Sequence, residues 1–335
     1  MKSIFSLLFA GLLIVVSPAE LFSQGSTIYA SVLSTKLFVV GAANPETGLY
    51  YQRSSEDTVW HHMGARNIRE FGIAVHTPSR GQLICLASGN GVHMTTDGGS
   101  TWKVTTGWQI TEVLAVTIDV ANPDFMLCGT PYGVFRTLDR GTTWVECNNG
   151  ITQKFISSVI IDHLNSSILY CSTEDGVYRS EDQGNTWKRT GLNVGGVRVV
   201  VQSPKDPNVL IAGTDDHGIY VTRNGGRYWE KCEAGLDHLT FFTITFDPVN
   251  PKILYAGGYM TGVYKSVDEG VSWTRKNTGL SNLNLHSIAV DPTNSNRVFA
   301  GTQWGGVFRS DDGGDTWRNV GLSGSQVWQI TVQPF

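Results

Sequence analysis

Short apolar runs alternate with turn residues along most of the chain. In one stretch the runs Ser287–Val290, Arg297–Ala300, Gly306–Arg309 and Thr316–Asn319 follow one another, and the turn Asp291–Asn294 separates the first two. Short runs broken by Asp-Pro, Asn-Pro and Gly pairs are typical of strands joined by hairpins. Beyond the N-terminal segment the sequence shows no helical period. The pattern therefore predicts an all-β protein built from units of four short strands.

The unit recurs at a fixed period. Six segments run from a glycine to a tryptophan eleven residues later, beginning with Gly91–Trp102 and Gly133–Trp144. The six tryptophans lie 42, 43, 42, 44 and 44 residues apart, and Trp60 precedes Trp102 by 42. Four strands per unit at this period indicate propeller blades. The sequence predicts a single seven-bladed β-propeller of four-stranded blades.

The C-terminal segment resembles the first strand of a further blade. Gln329–Pro334 matches the innermost strand of the repeat and has no blade of its own. We expect it to supply the inner strand of the first blade, which begins near Lys36–Val40, because ring closure removes two exposed sheet edges. The pattern leaves open whether Thr27–Ala30 forms a further strand or packs on the outside.

The N-terminus has the pattern of a secretory signal peptide. A positively charged start is followed by the apolar run Ile4–Val16 and by small residues at Ser17, Ala19 and Ser23. Cleavage after Ala19 or near Gln24 fits this pattern. We therefore expect a leader over residues 1–24, a propeller over 25–335, and a mature protein that is secreted to the periplasm or the exterior without a membrane span.

Composition narrows the choice of partner. Of 335 residues, 41% are hydrophobic and 16% are charged, which excludes a disordered or coiled-coil protein. The net charge of −4 gives no general attraction for phosphate backbones. We expect a monomer that binds no nucleic acid and holds no metal or cofactor.

The five cysteines follow the repeat. Cys85, Cys128 and Cys171 occupy the position that holds alanine in three later units, which indicates small buried side chains. Cys147 and Cys232 each follow a repeat tryptophan by three residues, but they lie two units apart. We therefore expect no disulfide bond.

Each of the six segments ends in the motif Ser/Thr-x-Asp-x-Gly-x-Ser/Thr-Trp, with two departures in the fourth, which ends at Trp229. On this motif the chain resembles the Asp-box (BNR) repeat propellers, which include sialidases, sortilin-type receptors, xyloglucan-active glycosidases and photosystem II assembly factors. The acidic positions of the motif are Asp97, Asp139, Asp182, Asn224, Asp268 and Asp312. An Asx side chain can accept hydrogen bonds from its own turn, and the tryptophan can pack between neighbouring sheets, so we expect a structural role. A calcium site is the alternative, although each turn offers few of the oxygens that calcium requires.

Aromatic residues outside the repeat positions concentrate in the loops between strands two and three and between strands four and one. In a propeller these loops share one face, opposite the Asp-boxes; we call it the loop face. Rigid aromatics there suit stacking on sugar rings or on apolar side chains. The predicted ligand-binding residues of this group are Trp108, Tyr132, Tyr259, Trp304 and Trp328, with Phe155 and Met260 in the same loops.

Acidic residues mark a second feature of the loop face. Glu174 and Asp175 in the fourth blade and Asp215 and Asp216 in the fifth occupy equivalent loops, and Asp237 follows the fifth blade. We expect one acidic sector, which could supply the carboxylate pair of a glycosidase or bind a divalent cation. A solvated loop edge is the simpler interpretation.

Alignment of the inner strands predicts the residues around the mouth of the central channel. They are Gly72, Leu114, Ser157, Arg198, Phe242, His286 and Trp328. Among these, Arg198 and His286 join the predicted ligand-binding residues. The Arg-Ile-Pro motif of sialidases does not occur in the sequence.

The sequence contains no complete catalytic set. The resemblance to sortilin-type and assembly-factor propellers then implies a non-catalytic module that binds a protein or glycan through the loop face. The alternative is a glycoside hydrolase that acts on a polysaccharide with a pair drawn from Asp175, Asp215, Asp216 and Asp237.

Overall fold

A computed structural model describes residues 25–35, 47–54, 57–66, 68–79 and 81–334. The described residues form seven four-stranded antiparallel sheets. The first strand of each sheet packs against the first strand of the next around a ring. The predicted seven-bladed propeller is confirmed.

The first blade joins the two ends of the described chain. From the channel outward its strands are β28 (Ser325–Pro334), β1 (Ser26–Thr35), β2 (Gly48–Gln52) and β3 (His61–Met63). The prediction that the C-terminal strand closes the ring is confirmed, with an earlier start than expected. The predicted start of this blade near Lys36–Val40 is wrong, because β1 already pairs with both β28 and β2. Residues 36–46 lie outside the described residues.

The second to fourth blades each run outward in chain order. A 3-10 turn, Thr77–Ser79, follows the inner strand of the second blade. The strands are β4 (Glu70–Val75), β5 (Ile84–Ser88), β6 (Gly91–Thr95) and β7 (Lys103–Val104); β8 (Ala115–Ile118), β9 (Met126–Thr130), β10 (Gly133–Thr137) and β11 (Val145–Glu146); β12 (Ser158–Ile161), β13 (Leu169–Thr173), β14 (Gly176–Ser180) and β15 (Lys188–Arg189).

The fifth to seventh blades repeat this arrangement. Their outermost strands are short, as in most of the other blades. The strands are β16 (Val197–Gln202), β17 (Leu210–Thr214), β18 (Ile219–Thr222) and β19 (Glu230–Cys232); β20 (Thr243–Phe246), β21 (Leu254–Gly258), β22 (Gly262–Ser266) and β23 (Thr274–Arg275); β24 (Leu285–Asp291), β25 (Asn294–Thr302), β26 (Gly306–Ser310) and β27 (Arg318–Gly321).

The hydrophobic core is divided into clusters between neighbouring sheets. The second strand of every blade from the second to the seventh is buried over the five residues that precede its hairpin. Cys85, Cys128 and Cys171 lie on these strands and are fully buried, which confirms the predicted small apolar position. All five cysteine thiols are free and buried. Burial raises the pKa of the Cys85 thiol to about 12, which makes it unreactive.

Polar side chains join the inner strands of neighbouring blades. Gln329 accepts a hydrogen bond from the Ile73 amide at 2.8 Å and donates one to the Ile73 carbonyl at 3.1 Å. Ser287 accepts from the Ile330 amide at 2.8 Å. The amide of Gln329 thus extends the hydrogen-bond ladder from the closing strand to the second blade.

The repeat tryptophans connect neighbouring blades. The Trp187 indole donates to the Cys147 carbonyl at 2.8 Å, and Trp317 donates to the Lys276 carbonyl at 2.9 Å. Trp60 donates to the Val320 carbonyl at 2.9 Å, which links the first blade to the seventh. The predicted packing of these tryptophans between sheets is confirmed.

The Asp-box carboxylates are held by their own turns. In the fourth blade Asp182 accepts hydrogen bonds from the Thr186 amide and hydroxyl and from the Ser180 hydroxyl, at 2.6 to 2.8 Å. The Thr186 hydroxyl, followed by the Thr186 amide, lowers the pKa of Asp182 to about 2. Asp97, Asp139, Asp268 and Asp312 repeat this arrangement. Asn224 accepts from the Tyr228 amide at 3.0 Å in the fifth blade. These contacts support the structural role.

We expect Asp182→Asn to lower the melting temperature at neutral pH and to have little effect near pH 2. A carboxylate with a folded pKa of about 2 stabilises the fold above its unfolded pKa of about 3.9, and this contribution is lost as the pH falls through 2. Thermal melts of both proteins between about pH 7 and about pH 2 measure the difference. An equal difference at both ends of that range would contradict this assignment.

Glu70 is a buried acid at the start of β4. Its side chain is 1% exposed, and its Oε2 has no hydrogen-bond partner among the described residues. The hydroxyl of Ser88, on the paired residue of β5, also lacks a partner in the described part of the chain. Burial raises the pKa of Glu70 well above its ordinary value, so the folded protein holds it as the neutral acid.

We expect Glu70→Gln to raise the melting temperature at alkaline pH. A folded pKa above the unfolded one leaves the stability intact below about pH 4.3 and reduces it progressively as the pH rises toward the folded pKa. Glutamine copies the neutral acid and does not ionise. Melting curves should show a gain of about 2 °C or more at about pH 8 and almost none at about pH 4. A gain of equal size at both pH values would mean that ionisation is not the cause.

Candidate functional site

A cavity of about 490 Å³ runs along the axis of the ring. Six of the seven predicted mouth residues line it: Leu114, Ser157, Arg198, Phe242, His286 and Trp328. The assignment of Gly72 is wrong by one residue. A register shift between Glu70 and Gly72 turns Phe71 toward the channel, while Gly72 faces Ala87 of β5.

Aromatic rings form a continuous arc along one side of the mouth. His286 stacks on Trp328 with ring centroids 4.4 Å apart and an interplanar angle of 17°, and on Phe242 at 5.9 Å and 9°. Phe71 meets Trp328 edge-on at 5.7 Å. We call these four residues the aromatic arc. They come from four adjacent blades, so the arc exists only when the ring is closed.

His286 is neutral within the arc. Burial lowers the pKa of its imidazole to about 4. Its Nε2 lies 3.2 Å from the Gln326 side-chain nitrogen, and the Gln326 carbonyl oxygen accepts a hydrogen bond from Ser34 at 2.9 Å. This network assigns Nε2 as an acceptor and places the proton of the neutral ring on Nδ1. The arc therefore presents an uncharged surface at neutral pH.

The opposite side of the mouth is ionic. Arg198 Nη1 lies 2.7 Å from Glu174, and Arg198 Nη2 lies 2.8 Å from Asp215. The Thr240 hydroxyl lies 3.3 Å from Asp215 Oδ1 and 3.2 Å from Asp216 Oδ1. The equivalent loops of the fourth and fifth blades thus come together as predicted, with a guanidinium between their carboxylates.

Asp175 is held separately from this ionic group. It accepts hydrogen bonds from the hydroxyls of Thr173, Thr152 and Tyr178 at 2.6, 2.7 and 3.0 Å. Burial raises the pKa of Asp175, but these three donors and the charge of Arg189 together outweigh it, so the net shift is downward. Asp175 is therefore stabilised as a carboxylate.

Asp237 forms a third, separate group. It accepts a hydrogen bond from the Tyr264 hydroxyl and pairs with Arg275 at 2.7 Å. The Tyr264 hydroxyl, and after it the Arg275 charge, lowers the pKa of Asp237. Asp175 and Asp237 thus have partners of their own, apart from the Arg198 group, because nearby hydroxyls and Arg275 bind them.

The loop-face aromatics outside the arc lie in two groups. Trp108 is 86% exposed and Tyr132 is exposed in the second and third blades. Tyr259 is exposed in the sixth blade, and Trp304 is half-buried in the seventh. Asn284 links the loops of this second pair: its side-chain oxygen accepts a hydrogen bond from the Met260 amide, and its backbone carbonyl accepts one from the Gln303 amide. The exposed rings widen the surface that surrounds the mouth.

Neither a metal cluster nor a membrane helix is found in the described residues. No three His, Cys, Asp or Glu side chains there come together as a metal site would require. No helix among them is long and apolar enough to cross a membrane.

Sequence and structure comparisons show several similar propellers. Residues 132–257 match the family model Sortilin-Vps10, described as sortilin, neurotensin receptor 3. A GH74 xyloglucanase from Xanthomonas campestris superposes with a TM-score of 0.67 at 16% identity, over 92% of this chain and 52% of that chain. A GH74 enzyme from Niastella koreensis gives 0.61 at 21% identity, over 77% and 45%. The chain therefore spans about half the length of these enzymes.

A smaller propeller is also similar. YCF48 bound to a D1 peptide superposes with a TM-score of 0.59 at 14% identity, over 80% of this chain and 88% of that chain. No curated protein matches the sequence. At these identities the solved structures show the fold alone. Together with the Sortilin-Vps10 match, they confirm that the chain resembles the sortilin, GH74 and YCF48 propellers, as its motif predicts.

Proposed function

We propose that the protein is a non-catalytic binding or assembly module that holds a protein or glycan ligand at the loop face, centred on the channel mouth. The observation that carries this proposal is the contrast between the two sides of the mouth. The aromatic arc presents rings that a ligand can contact, whereas the candidate catalytic carboxylates are already hydrogen-bonded or ion-paired to neighbouring side chains.

The pairing of the carboxylates argues against glycoside hydrolysis. A glycosidase needs one carboxyl group with a raised pKa to protonate the leaving group and a second carboxylate across the scissile bond. Hydrogen bonds lower the pKa of Asp175 and of Asp237, which is the wrong direction for the acid. Arg198 is bound to Asp215 and to Glu174, so these carboxylates serve to position the guanidinium.

The aromatic arc suits a flat or apolar ligand group. Stacked rings offer a rigid surface to an apolar side chain or to the face of a sugar, and Ser157 and Arg198 provide polar contacts opposite. The similarity to YCF48, which was solved with a D1 peptide, supports a peptide ligand. We further propose that residues 1–24 are removed on secretion and that the mature protein acts as a monomer.

Glycoside hydrolysis on a polysaccharide remains the second candidate because of the similarity to the GH74 xyloglucanase. One assay distinguishes the two candidate functions, binding and glycoside hydrolysis. Purified protein is incubated with xyloglucan and a panel of plant and microbial polysaccharides, and reducing ends are measured beside an Asp215→Asn/Asp216→Asn variant. We expect no release. If the wild type releases reducing ends and the double variant does not, catalysis lies in the ionic group and the binding proposal is overturned.

A further inference from the structure

The fifth blade departs from the repeat on the face opposite the channel mouth. Its Asp-box reads Thr-Arg-Asn-Gly-Gly-Arg-Tyr-Trp, so Asn224 replaces the acid and Tyr228 replaces the serine or threonine. Arg223 and Arg227 occupy two of the three variable positions. This turn is therefore the one box of the six that lacks both the acid and the small hydroxyl, and it carries two arginines and an aromatic ring.

The outer strand of the fourth blade faces this turn with two more basic residues, Lys188 and Arg189. Together with Arg227 they form a trio at the junction of two blades. Each of the six Asp-boxes forms such a trio with the outer strand of the preceding blade, and this is the one trio made only of lysine and arginine. The other five are His61/His62/Ser100, Lys103/Val104/Thr142, Val145/Glu146/Asn185, Glu230/Lys231/Val271 and Thr274/Arg275/Asp315.

The junction is also open. Between the third and fourth blades Arg136 reaches across and donates to Gln183 and Asn185 of the next Asp-box. Lys265 donates in the same way to Gly313 at 2.7 Å. The equivalent Arg179 instead binds Glu181 and Tyr170 of its own blade. Because this residue does not bridge the gap, a cleft of about 700 Å³ remains there.

The cleft carries excess positive charge. Arg179, Lys188, Arg189 and Arg227 line it beside Glu181 and Asp182. Glu181 pairs with Arg179, and Asp182 is bound within its own turn. Lys188 and Arg227 are near enough to Glu181 to lower its pKa after Arg179 does, but in the described part of the chain neither forms an ion pair or a side-chain hydrogen bond. Two cations are therefore available to an anionic ligand.

The lining indicates the class of ligand. The remaining residues of the cleft are threonines and glycines, so it offers no apolar side chain to anchor a protein partner. Two smaller depressions continue it past Arg223, which pairs with Glu230 at 3.4 Å, to the ring of Tyr228, which is 64% exposed. Cations spaced along an open track that ends at an exposed ring suit a chain of charged sugars.

We propose that this cleft, lined by Lys188 and Arg227 and continued to Tyr228, binds an anionic polysaccharide that carries carboxylate or sulfate groups. The site lies on the Asp-box face and is independent of the ligand proposed for the channel mouth. The guanidinium of Arg227 and the ammonium of Lys188 pair with the anionic groups, and the Tyr228 ring packs on a sugar face.

The test measures binding of immobilised wild-type protein to dextran sulfate and to oligogalacturonate, at low and at physiological ionic strength. Neutral dextran and poly-L-glutamate serve as comparison probes. Lys188→Glu/Arg227→Glu should weaken binding about tenfold or more, because it turns two attractions into repulsions. The matched control Lys103→Glu/Lys231→Glu makes the same charge change on outer strands of the second and fifth blades. Equal melting temperatures of the three proteins exclude a folding effect.

Each outcome is decisive. The proposal is supported if the protein binds either anionic polysaccharide, if salt weakens this binding, and if the cleft variant loses it while the control keeps it. The polysaccharide that binds more tightly then identifies sulfate or carboxylate as the preferred group. Binding of poly-L-glutamate as tight as that of the polysaccharides would replace it with an acidic protein partner. Equal losses in both variants, or no binding to either polysaccharide, would overturn it.

Discussion

Removal of residues 325–335 is expected to abolish the cooperative unfolding transition. The deletion removes β28, whose Val327 and Ile330 are buried in the cluster between the first and seventh blades. Each buried aliphatic side chain that is lost costs about 2–5 kcal/mol, and a domain has only about 5–15 kcal/mol in total. The deletion also leaves the edge of β1 unpaired and removes the Gln329 link to Ile73. Circular dichroism during heating should show a broad, non-cooperative change.

A peptide supplied in trans provides the control. The sequence of residues 323–334 should restore a cooperative melt to the truncated protein, because β28 pairs with β1 through backbone hydrogen bonds and inserts two apolar side chains. A scrambled peptide of equal composition should not. A truncated protein that melts cooperatively without the peptide would show that closure by the C-terminal strand is not needed for stability.

Gly235→Ala is the second substitution with a large expected effect. Gly235 has a φ of +80°, and a Cβ there would overlap the carbonyl oxygen of Trp273 in the next Asp-box. The contact is with backbone, so no side-chain rotation relieves it. We expect a loss of about 3 kcal/mol or more from the left-handed conformation and the overlap together. Urea unfolding monitored by tryptophan fluorescence measures the loss.

Gly324→Ala is the matched control for this effect. Its φ is +84°, almost the same as that of Gly235, but a Cβ at Gly324 would have no atom within 4 Å. We therefore expect it to lose only the conformational cost of about 1 kcal/mol. Equal losses at the two glycines would mean that the close approach between the fifth and sixth blades is not what requires Gly235.

Most of the fold could be predicted from the sequence repeat. The Gly-to-Trp spacing predicted seven blades because each blade must place a tryptophan against its neighbour. The first blade was harder to predict, because its strands come from both ends of the chain and Trp60 is its only regular marker. The pairing of Ser26–Thr35 with the C-terminal strand is a long-range contact that the local pattern of residues does not encode.

The candidate site was predictable in position but not in chemistry. Inner-strand alignment placed six mouth residues correctly, but in the second blade it chose Gly72 in place of its neighbour Phe71. Phe71 occupies the same bulge position as Arg198 and His286 in their blades. The partners of Asp215 and Asp237, and Thr152 beside Asp175, come from other segments of the chain, so neither their number nor their effect follows from the sequence. The open cleft at Arg227 was missed as well, although the departure of the Asp-box in the fifth blade was a signal for it.

Ligand selection tests the central claim most directly. Wild-type protein is screened against a random peptide display library and a panel of neutral glycans. The affinity of each selected ligand is then measured for Trp328→Ala and for Leu138→Ala, an exposed residue in the Asp-box of the third blade on the opposite face. We expect Trp328→Ala, with an unchanged melting temperature, to weaken binding about tenfold or more, because it removes the centre of the aromatic arc. Leu138→Ala should bind as the wild type does. Ligands that bind Trp328→Ala as tightly as the wild type would contradict the assignment of the channel mouth as the binding site.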